Sequence, residues 1–196
     1  FTELMLEENN LNERKEYFSI VKRNSDGLLN IINDLLDMSK IEAGMLNYQI
    51  AGTDLNLLCK EVVNDLSSTT QNDVKLLFKP EKDSFIINTD KQRLRQVIVN
   101  LVSNACKFTT EGEITISYKQ VSTDCLEIRV TDTGIGIATE NIPKLFNRFT
   151  KLNSNAKGTG LGLVICKSII EHLGGEIGIE SELGKGSSFW FTHPIS

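Results

Sequence analysis

The chain has 196 residues, of which 40% are apolar and 24% charged, which leaves room for one ordinary soluble domain and a small additional module. A net charge of −5 and a pI of about 5.2 argue against a nucleic-acid surface as its main function, and no apolar run is long enough for a membrane span or a signal peptide. The four cysteines lack Cys-Xaa-Xaa-Cys spacing and lie in or beside apolar stretches, which predicts buried thiols in a reducing compartment rather than zinc ligands or disulfides.

The first part of the chain, residues 1–44, has a helical pattern. Residues 1–8 are spaced like the end of a helix that begins before Phe1, and a turn over 9–12 leads into a helix from Glu13 to Ala43 that Gly44 ends. The apolar seam of this long helix is too broad for one hairpin to bury, so we expect two hairpins to pair as a four-helix bundle. A lone helix that packs back on the rest of the chain is the alternative. The seam comprises Phe18, Val21, Leu28, Ile31, Ile32, Leu35, Leu36 and Met38.

A second module is predicted over residues 54–196, after an extended linker at 45–53. Asp54 can cap a helix that runs to Leu66. The segments beyond it alternate between strand and helix patterns, which predicts an α+β fold in which helices cover one face of a mixed sheet, an α/β two-layer sandwich. The expected strands are 74–78, 85–87, 114–121, 126–131, 176–180 and 187–192, and the expected helices are 91–108 and 161–173.

The helix over 91–108 places polar side chains at the rim of its apolar face. Asp90 can cap it, and Asn100, Asn104 and Lys107 fall on one narrow stripe about a quarter-turn from the centre of that face. A solvated face is the simpler reading, but asparagine is a mediocre helix former. An amide oxygen in a cleft can ligate Mg²⁺, and a lysine one turn on can meet phosphate charge. The predicted buried face comprises Leu94, Val97, Ile98, Leu101, Val102, Ala105 and Phe108.

Two glycine-patterned turns follow. In the first, Asp132 ends a strand and precedes Gly134 and Gly136, so its carboxylate can accept a hydrogen bond from an exocyclic amine such as that of adenine. Taken alone, this segment could be a structural turn. The second turn, residues 158–163, opens a helix whose free amides attract phosphate. It fits neither the Walker pattern nor the dinucleotide fingerprint.

In order and spacing, the stretches NLVSNACKF, DTGIGI, LFNRF and GTGLGL resemble the asparagine box, first glycine box, phenylalanine box and second glycine box of bacterial sensor histidine kinases. That family belongs to the ATPase superfamily shared with gyrase, a heat-shock chaperone and MutL. The resemblance runs over nearly the whole chain and implies ATP and Mg²⁺ as cofactors. It also implies that residues 150–157 form a lid over the nucleotide, with Lys157 standing where another glycine is frequent.

The resemblance implies roles for individual residues. Asp132 would recognise adenine, Asn104 would ligate Mg²⁺ with support from Asn100, and Lys107 would contact phosphate, so that Asn104 and Lys107 form the catalytic pair. The remaining nucleotide-binding residues would be Gly134, Gly136, Phe149, Lys157, Gly158, Thr159, Gly160, Leu161 and Gly162.

The resemblance further implies that residues 1–44 belong to a dimerisation and phosphotransfer hairpin. The family's phosphoacceptor histidine, in a stretch of His-Glu-Xaa-Arg-Xaa-Pro type, is expected before Phe1, and His172 and His193 are expected to have only structural or surface roles. The expected partners are a second copy of the chain and a response regulator receiver domain, with no nucleic acid and no membrane contact by these residues. A cytoplasmic location follows, with a parent protein that can be anchored in the inner membrane. A non-kinase ATPase of the same superfamily and a degenerate, non-binding scaffold are the alternatives.

Overall fold

The N-terminal part consists of two helices, α1 (Thr2–Glu7) and α2 (Leu11–Glu42), in a computed structural model that describes residues 1–7, 10–67, 70, 73–151 and 159–195. Asn10 caps α2, since its side-chain oxygen accepts a hydrogen bond from the backbone N–H of Asn12 at 3.0 Å. At the other end Gly44 has a φ of 65°, as the prediction that it ends this helix requires.

Most of the apolar side chains of α2 face outward. Met38 is its only buried residue, and Ile41 packs against the core of the module that follows. The alternative considered above, that α2 packs back on the second module, therefore holds for its last turns alone. The exposed apolar residues from Phe18 to Leu36, the α2 stripe, are Phe18, Leu28, Leu29, Ile31, Ile32, Leu35 and Leu36. No helix in the described part of the chain is long and apolar enough to span a bilayer.

The C-terminal module, residues 51–195, is built on a five-stranded sheet in the order β2, β4, β5, β7, β6. β2 and β4 run parallel and the other neighbours are antiparallel. The strands of this sheet are β2 (Val74–Lys79), β4 (Gly112–Gln120), β5 (Cys125–Asp132), β6 (Ile177–Glu182) and β7 (Gly186–Pro194). The mixed sheet agrees with the prediction, and each strand lies close to its expected position.

Three helices cover one face of this sheet: α3 (Leu55–Ser67), α4 (Lys91–Phe108) and α5 (Gly162–His172). The sheet's strands alternate accordingly, and in β5 Leu126, Ile128 and Val130 are fully buried beneath the helices. A 3₁₀ helix, Thr139–Lys144, follows β5. The two layers confirm the predicted α/β sandwich.

Two short strands, β1 (Ala51–Asp54) and β3 (Ile86–Thr89), form a separate antiparallel pair. β1 includes the last residues of the expected linker, which is extended as predicted but pairs with the module that it precedes. Asp54 then caps α3, because its Oδ1 accepts a hydrogen bond from the N–H of Asn56 at 2.8 Å.

Two expectations about burial were wrong in part. Phe108 was predicted to be buried but is 36% exposed, because it is the last residue of α4, where the chain turns away toward β4. All four cysteines are free thiols, and Cys59 and Cys166 are buried, but Cys106 and Cys125 are only partly so.

Candidate nucleotide site

α4 supplies the two asparagines of the site. Its sheet-facing residues are buried as predicted up to Ala105, which leaves Asn100 and Asn104 half-buried at the rim. The Nδ2 of Asn104 donates a hydrogen bond to the Oδ1 of Asn100 at 3.3 Å. In this orientation the Oδ1 of Asn104 accepts no hydrogen bond from the residues that the structure describes, so it remains available as a hard oxygen ligand.

The second glycine turn packs directly on this pair. A Cβ atom added to Gly162, the first residue of α5, would lie 2.7 Å from the Oδ1 of Asn100 and overlap its amide. Only glycine allows this approach. The N-terminus of α5 and the asparagines of α4, which the sequence predicted to form one site, are therefore in contact.

The first glycine turn meets the end of α4. A Cβ atom on Gly134 would lie 2.9 Å from the carbonyl carbon of Phe108. The carbonyl oxygen of Phe108 also accepts a hydrogen bond from the N–H of Ile135 at 3.2 Å. The turn after β5 is thus fixed against α4, and Gly136 within it has a φ of 65°.

Asp132 lies at the end of β5 on the same face as Val130, so its carboxylate points to the helical side of the sheet, where it is 6% exposed. Its Oδ1 accepts a hydrogen bond from the N–H of Gly134 at 2.9 Å. Burial raises the pKa of Asp132, and backbone hydrogen bonds from Gly134 and Ser187 lower it. A buried carboxylate with few donors gains from a ligand that provides another, such as an exocyclic amine.

Ser187 is a residue of this site that the sequence did not reveal. It is buried and lies directly opposite Asp132 in the antiparallel β5–β7 pair. Its hydroxyl is 3.0 Å from that of Ser181, which in turn accepts a hydrogen bond from the N–H of Ile137 at 2.8 Å. In the sequence, Ser187 is visible only as a polar residue that follows the glycines of the last hairpin. That position does not indicate a contact with Asp132 until the strand pairing is known.

The phosphate side of the predicted site contains Thr159, Gly160 and Leu161. The hydroxyl of Thr159 accepts a hydrogen bond from the N–H of Leu161 at 3.1 Å, and Gly160 has a φ of 73°. The carbonyl of Gly160 accepts a hydrogen bond from the N–H of Phe149 at 3.0 Å, and the Phe149 side chain is 66% exposed. Lys157 and Gly158, predicted for the same turn, lie outside the described residues.

Lys107 lies at the end of α4 on the predicted stripe. Burial lowers the pKa of its ammonium group, the carboxylate of Asp34 raises it and the charge of Lys151 lowers it. Asp34 belongs to α2, so the N-terminal helix reaches the phosphate side of the site. The sequence did not predict this contact.

Two ion pairs also join α2 to the C-terminal module. Arg93 Nη1 lies 3.1 Å from both carboxylate oxygens of Asp37, and Gln96 donates to the same carboxylate at 2.7 Å. Asp37 and Arg93 are largely buried, so this pair is shielded from solvent screening. Glu42 pairs with Arg148 nearer the surface.

Both histidines make structural contacts, as predicted. His172 ends α5 and stacks on Tyr48, with ring centroids 3.9 Å apart. His193 is buried, and its Nε2 lies 2.9 Å from the hydroxyl of Thr89. Neither lies among the residues that form the candidate nucleotide site.

Comparison with known families gives the class of this two-layer sandwich, in which two glycine turns meet an asparagine-bearing helix. The family model "Histidine kinase-, DNA gyrase B-, and HSP90-like ATPase" matches residues 89–196, and the model "His Kinase A (phospho-acceptor) domain" matches residues 1–44. The chain belongs to the histidine kinase-, DNA gyrase B- and HSP90-like ATPase family, and this confirms the resemblance seen in the sequence.

Individual relatives agree. The sensor protein GacS of Pseudomonas syringae pv. syringae is 38% identical over 98% of the chain, although the chain spans only 22% of its length. Full-length ShkA in complex with AMPPNP has a TM-score of 0.84 and 27% identity, over 98% of this chain and 41% of that one. The histidine kinase ThkA, in complex with its response regulator TrrA, has a TM-score of 0.73 over the whole chain and 55% of ThkA, and at 24% identity shows the fold alone.

Proposed function

We propose that this chain is the ATP-binding catalytic core of a two-component sensor histidine kinase, which transfers the γ-phosphoryl group of ATP to a histidine for relay to a response regulator aspartate. The observation that carries the proposal is the convergence of the two glycine turns on α4. Gly134 packs on the Phe108 carbonyl and Gly162 on the amide of Asn100. The family match and the GacS relationship support the same function.

Each side chain of the site then has a role. Asp132 accepts a hydrogen bond from the adenine amine, and Lys107 offsets phosphate charge. The backbone at Thr159, Gly160 and Leu161 lines the phosphate side, where amides at the start of α5 favour anions. Phosphoryl transfer depends mainly on positioning the phosphates and offsetting their charge, and these residues do both. We also propose Lys157, Gly158 and Phe149 as nucleotide-binding residues, as the resemblance implies.

Mg²⁺ fits the residues that are present. No group of three or more His, Cys, Asp or Glu side chains in the described parts of the chain could hold a metal ion. Asn104, whose Oδ1 is unbonded to described residues, would therefore ligate the ion together with phosphate oxygens, which is the usual manner for Mg²⁺. The ion would offset the charge of the phosphates, and Asn100 would hold the Asn104 amide in orientation.

Replacing Asn104 with alanine is expected to abolish the dependence of ATP binding on Mg²⁺, because a methyl group cannot replace a ligand. Mutating a residue that merely supports a metal ligand typically lowers metal affinity by roughly 10- to 100-fold. Losing the ligand itself should lower the Mg²⁺-dependent affinity for ATP by at least as much. Calorimetric titration of the whole chain with ATP, in Mg²⁺ and in EDTA, measures it. Asn64→Ala, an exposed helical asparagine away from the site, is the control.

If the wild-type chain binds no ATP in this titration, the proposed function is wrong. If Asn104→Ala keeps the full response to Mg²⁺, the metal belongs to another residue, and Asn100 would be the first to test.

We also propose that the chain forms a homodimer through the α2 stripe and that a response regulator receiver domain is its partner. The match to the phospho-acceptor model over 1–44 and the exposure of the stripe support the dimer. The relationship to the sensor protein GacS supports the second partner. A cytoplasmic site of action follows from that partnership. In the proposed domain organisation, residues 1–44 belong to the hairpin, residues 45–53 are the linker and residues 54–196 are the catalytic domain.

The double variant Ile32→Glu and Leu35→Glu is expected to convert the dimer to a monomer, because it would bury unpaired charges at the interface. Light scattering across a concentration series measures the mass. Leu57→Glu is the matched control, since Leu57 is exposed and apolar but lies on α3. A wild-type chain that remains monomeric, or a double variant that remains dimeric, would contradict this assignment.

A further inference from the structure

Asp34 is the α2 residue that reaches the candidate nucleotide site. Its Oδ2 accepts a hydrogen bond from the hydroxyl of Thr159 at 2.8 Å. That hydroxyl has a single proton, and its oxygen also accepts from the N–H of Leu161. The one donor that the Thr159 side chain could offer to a phosphate is therefore already given to a carboxylate.

Asp34 also faces the lysine of the site. The charges of Asp34 and Lys107 are close enough for each to shift the pKa of the other. The carboxylate thus binds the hydroxyl donor directly and acts on the ammonium group through its charge alone, and both side chains are expected to meet the phosphates of ATP.

The position of Asp34 is held from outside the site. Asp37, one helical turn further along α2, binds Arg93 and Gln96 of α4, and Glu42 binds Arg148. Because the Asp37 contacts are largely buried, they hold this end of α2 against the C-terminal module. Contacts within the protein alone therefore hold Asp34 at the phosphate side.

We propose that docked α2 weakens triphosphate binding through Asp34, whose carboxylate occupies the Thr159 hydroxyl and places a negative charge where the phosphates of ATP are expected to bind. This rests on the proposed nucleotide site and adds a regulatory residue to it. Movement of α2 away from the module would remove a negative charge from the phosphate side and free the hydroxyl of Thr159. Since the coupling is reciprocal, bound ATP would favour release of α2 to the same extent.

The competition acts as a bias rather than a block. The chain matches ShkA determined with AMPPNP over 98% of its length at a TM-score of 0.84, so the overall arrangement admits a nucleotide analogue. The negative charge of Asp34 near the phosphates then lowers the affinity for a nucleotide more strongly the more negative charge the nucleotide bears. The effect should be largest for ATP, smaller for ADP and absent for adenosine.

The test compares the affinities of the full chain for ATP, ADP and adenosine in Asp34→Asn and wild type, by calorimetry. Asp34→Asn is expected to bind ATP about fivefold more tightly or better, the lower end of typical coupling between sites. ADP should gain less and adenosine nothing. Asp34→Glu, which retains the charge, should bind ATP about as weakly as wild type. Asp26→Asn, exposed elsewhere on α2, is the control for loss of charge alone.

Equal gains for all three ligands would show that Asp34 acts through the fold, and unchanged or weaker ATP binding by Asp34→Asn would show that it does not compete. Either result overturns the inference, and thermal unfolding establishes that each variant is folded. A wild-type chain that fails to bind ATP contradicts the proposed function instead, so the two failures are distinguishable.

Discussion

Asp132→Asn is expected to weaken ATP binding by about 1–3 kcal/mol, or roughly 5- to 150-fold, while the fold remains intact. Asparagine has the same shape and its Oδ1 can still accept the N–H of Gly134, which now lies at 2.9 Å. Its Nδ2, however, replaces an acceptor with a donor. In a pocket where Asp132 is only 6% exposed, an amine of adenine and this amide would face each other as two donors.

Calorimetric titration with ATP measures the loss, and circular dichroism checks the fold. Asp124→Asn is the matched control, because Asp124 is exposed in the turn between β4 and β5. Unchanged affinity in a folded Asp132→Asn variant would remove Asp132 from the adenine site. If the variant loses affinity for adenosine as well as for ATP, the lost contact is with the adenine base, because adenosine has no phosphates.

The second large effect concerns transfer itself: this chain is expected to bind ATP without phosphorylating itself. Transfer needs a nucleophile about 3–3.5 Å from the γ-phosphorus, and both histidines lie away from the candidate nucleotide site. His193 is buried against Thr89. His172 ends α5, and a helix rises about 1.5 Å per residue, so it lies roughly 15 Å from Gly162 at the other end.

The same chain is expected to phosphorylate a separately supplied helical hairpin that contains a His-Glu-Xaa-Arg-Xaa-Pro stretch. Incubation with γ-labelled ATP, followed by assay of acid-labile label on each component, separates donor from acceptor. Label on His172 or His193 in the chain alone would overturn this prediction, and His172→Gln would identify which residue carries it. Steady ATP hydrolysis with no phosphohistidine on any component would favour a non-kinase ATPase of the same family.

Local patterns in the sequence were sufficient for the layers of the fold and for the positions of the asparagines and Asp132 within their elements. The period of α4 placed Leu94, Val97 and Ile98 beneath it and left Asn100 and Asn104 at the rim. The alternation in β5 put Asp132 on the buried face beside Val130. These predictions succeed because side-chain direction in a helix or strand follows from position along the chain alone.

Contacts between distant segments could not be predicted in this way. Ser187 became a neighbour of Asp132 only through the register of β5 with β7. Asp34 and Asp37 look like ordinary solvated positions on α2, and nothing local indicates that Thr159 and Arg93 will bind them. The periodicity of a helix places a charged side chain on its polar face but does not say which other element that face will meet, so the partner of the charge depends on how two elements dock.

The sequence by itself thus determined the sandwich, the asparagine helix and the two glycine turns, since each depends on periodicity or on backbone freedom within a short stretch. Tertiary structure alone decided which strand lies beside Asp132, and that α2 brings Asp34 to the hydroxyl of Thr159. Such choices depend on the balance of many weak contacts across the core, which no single segment encodes.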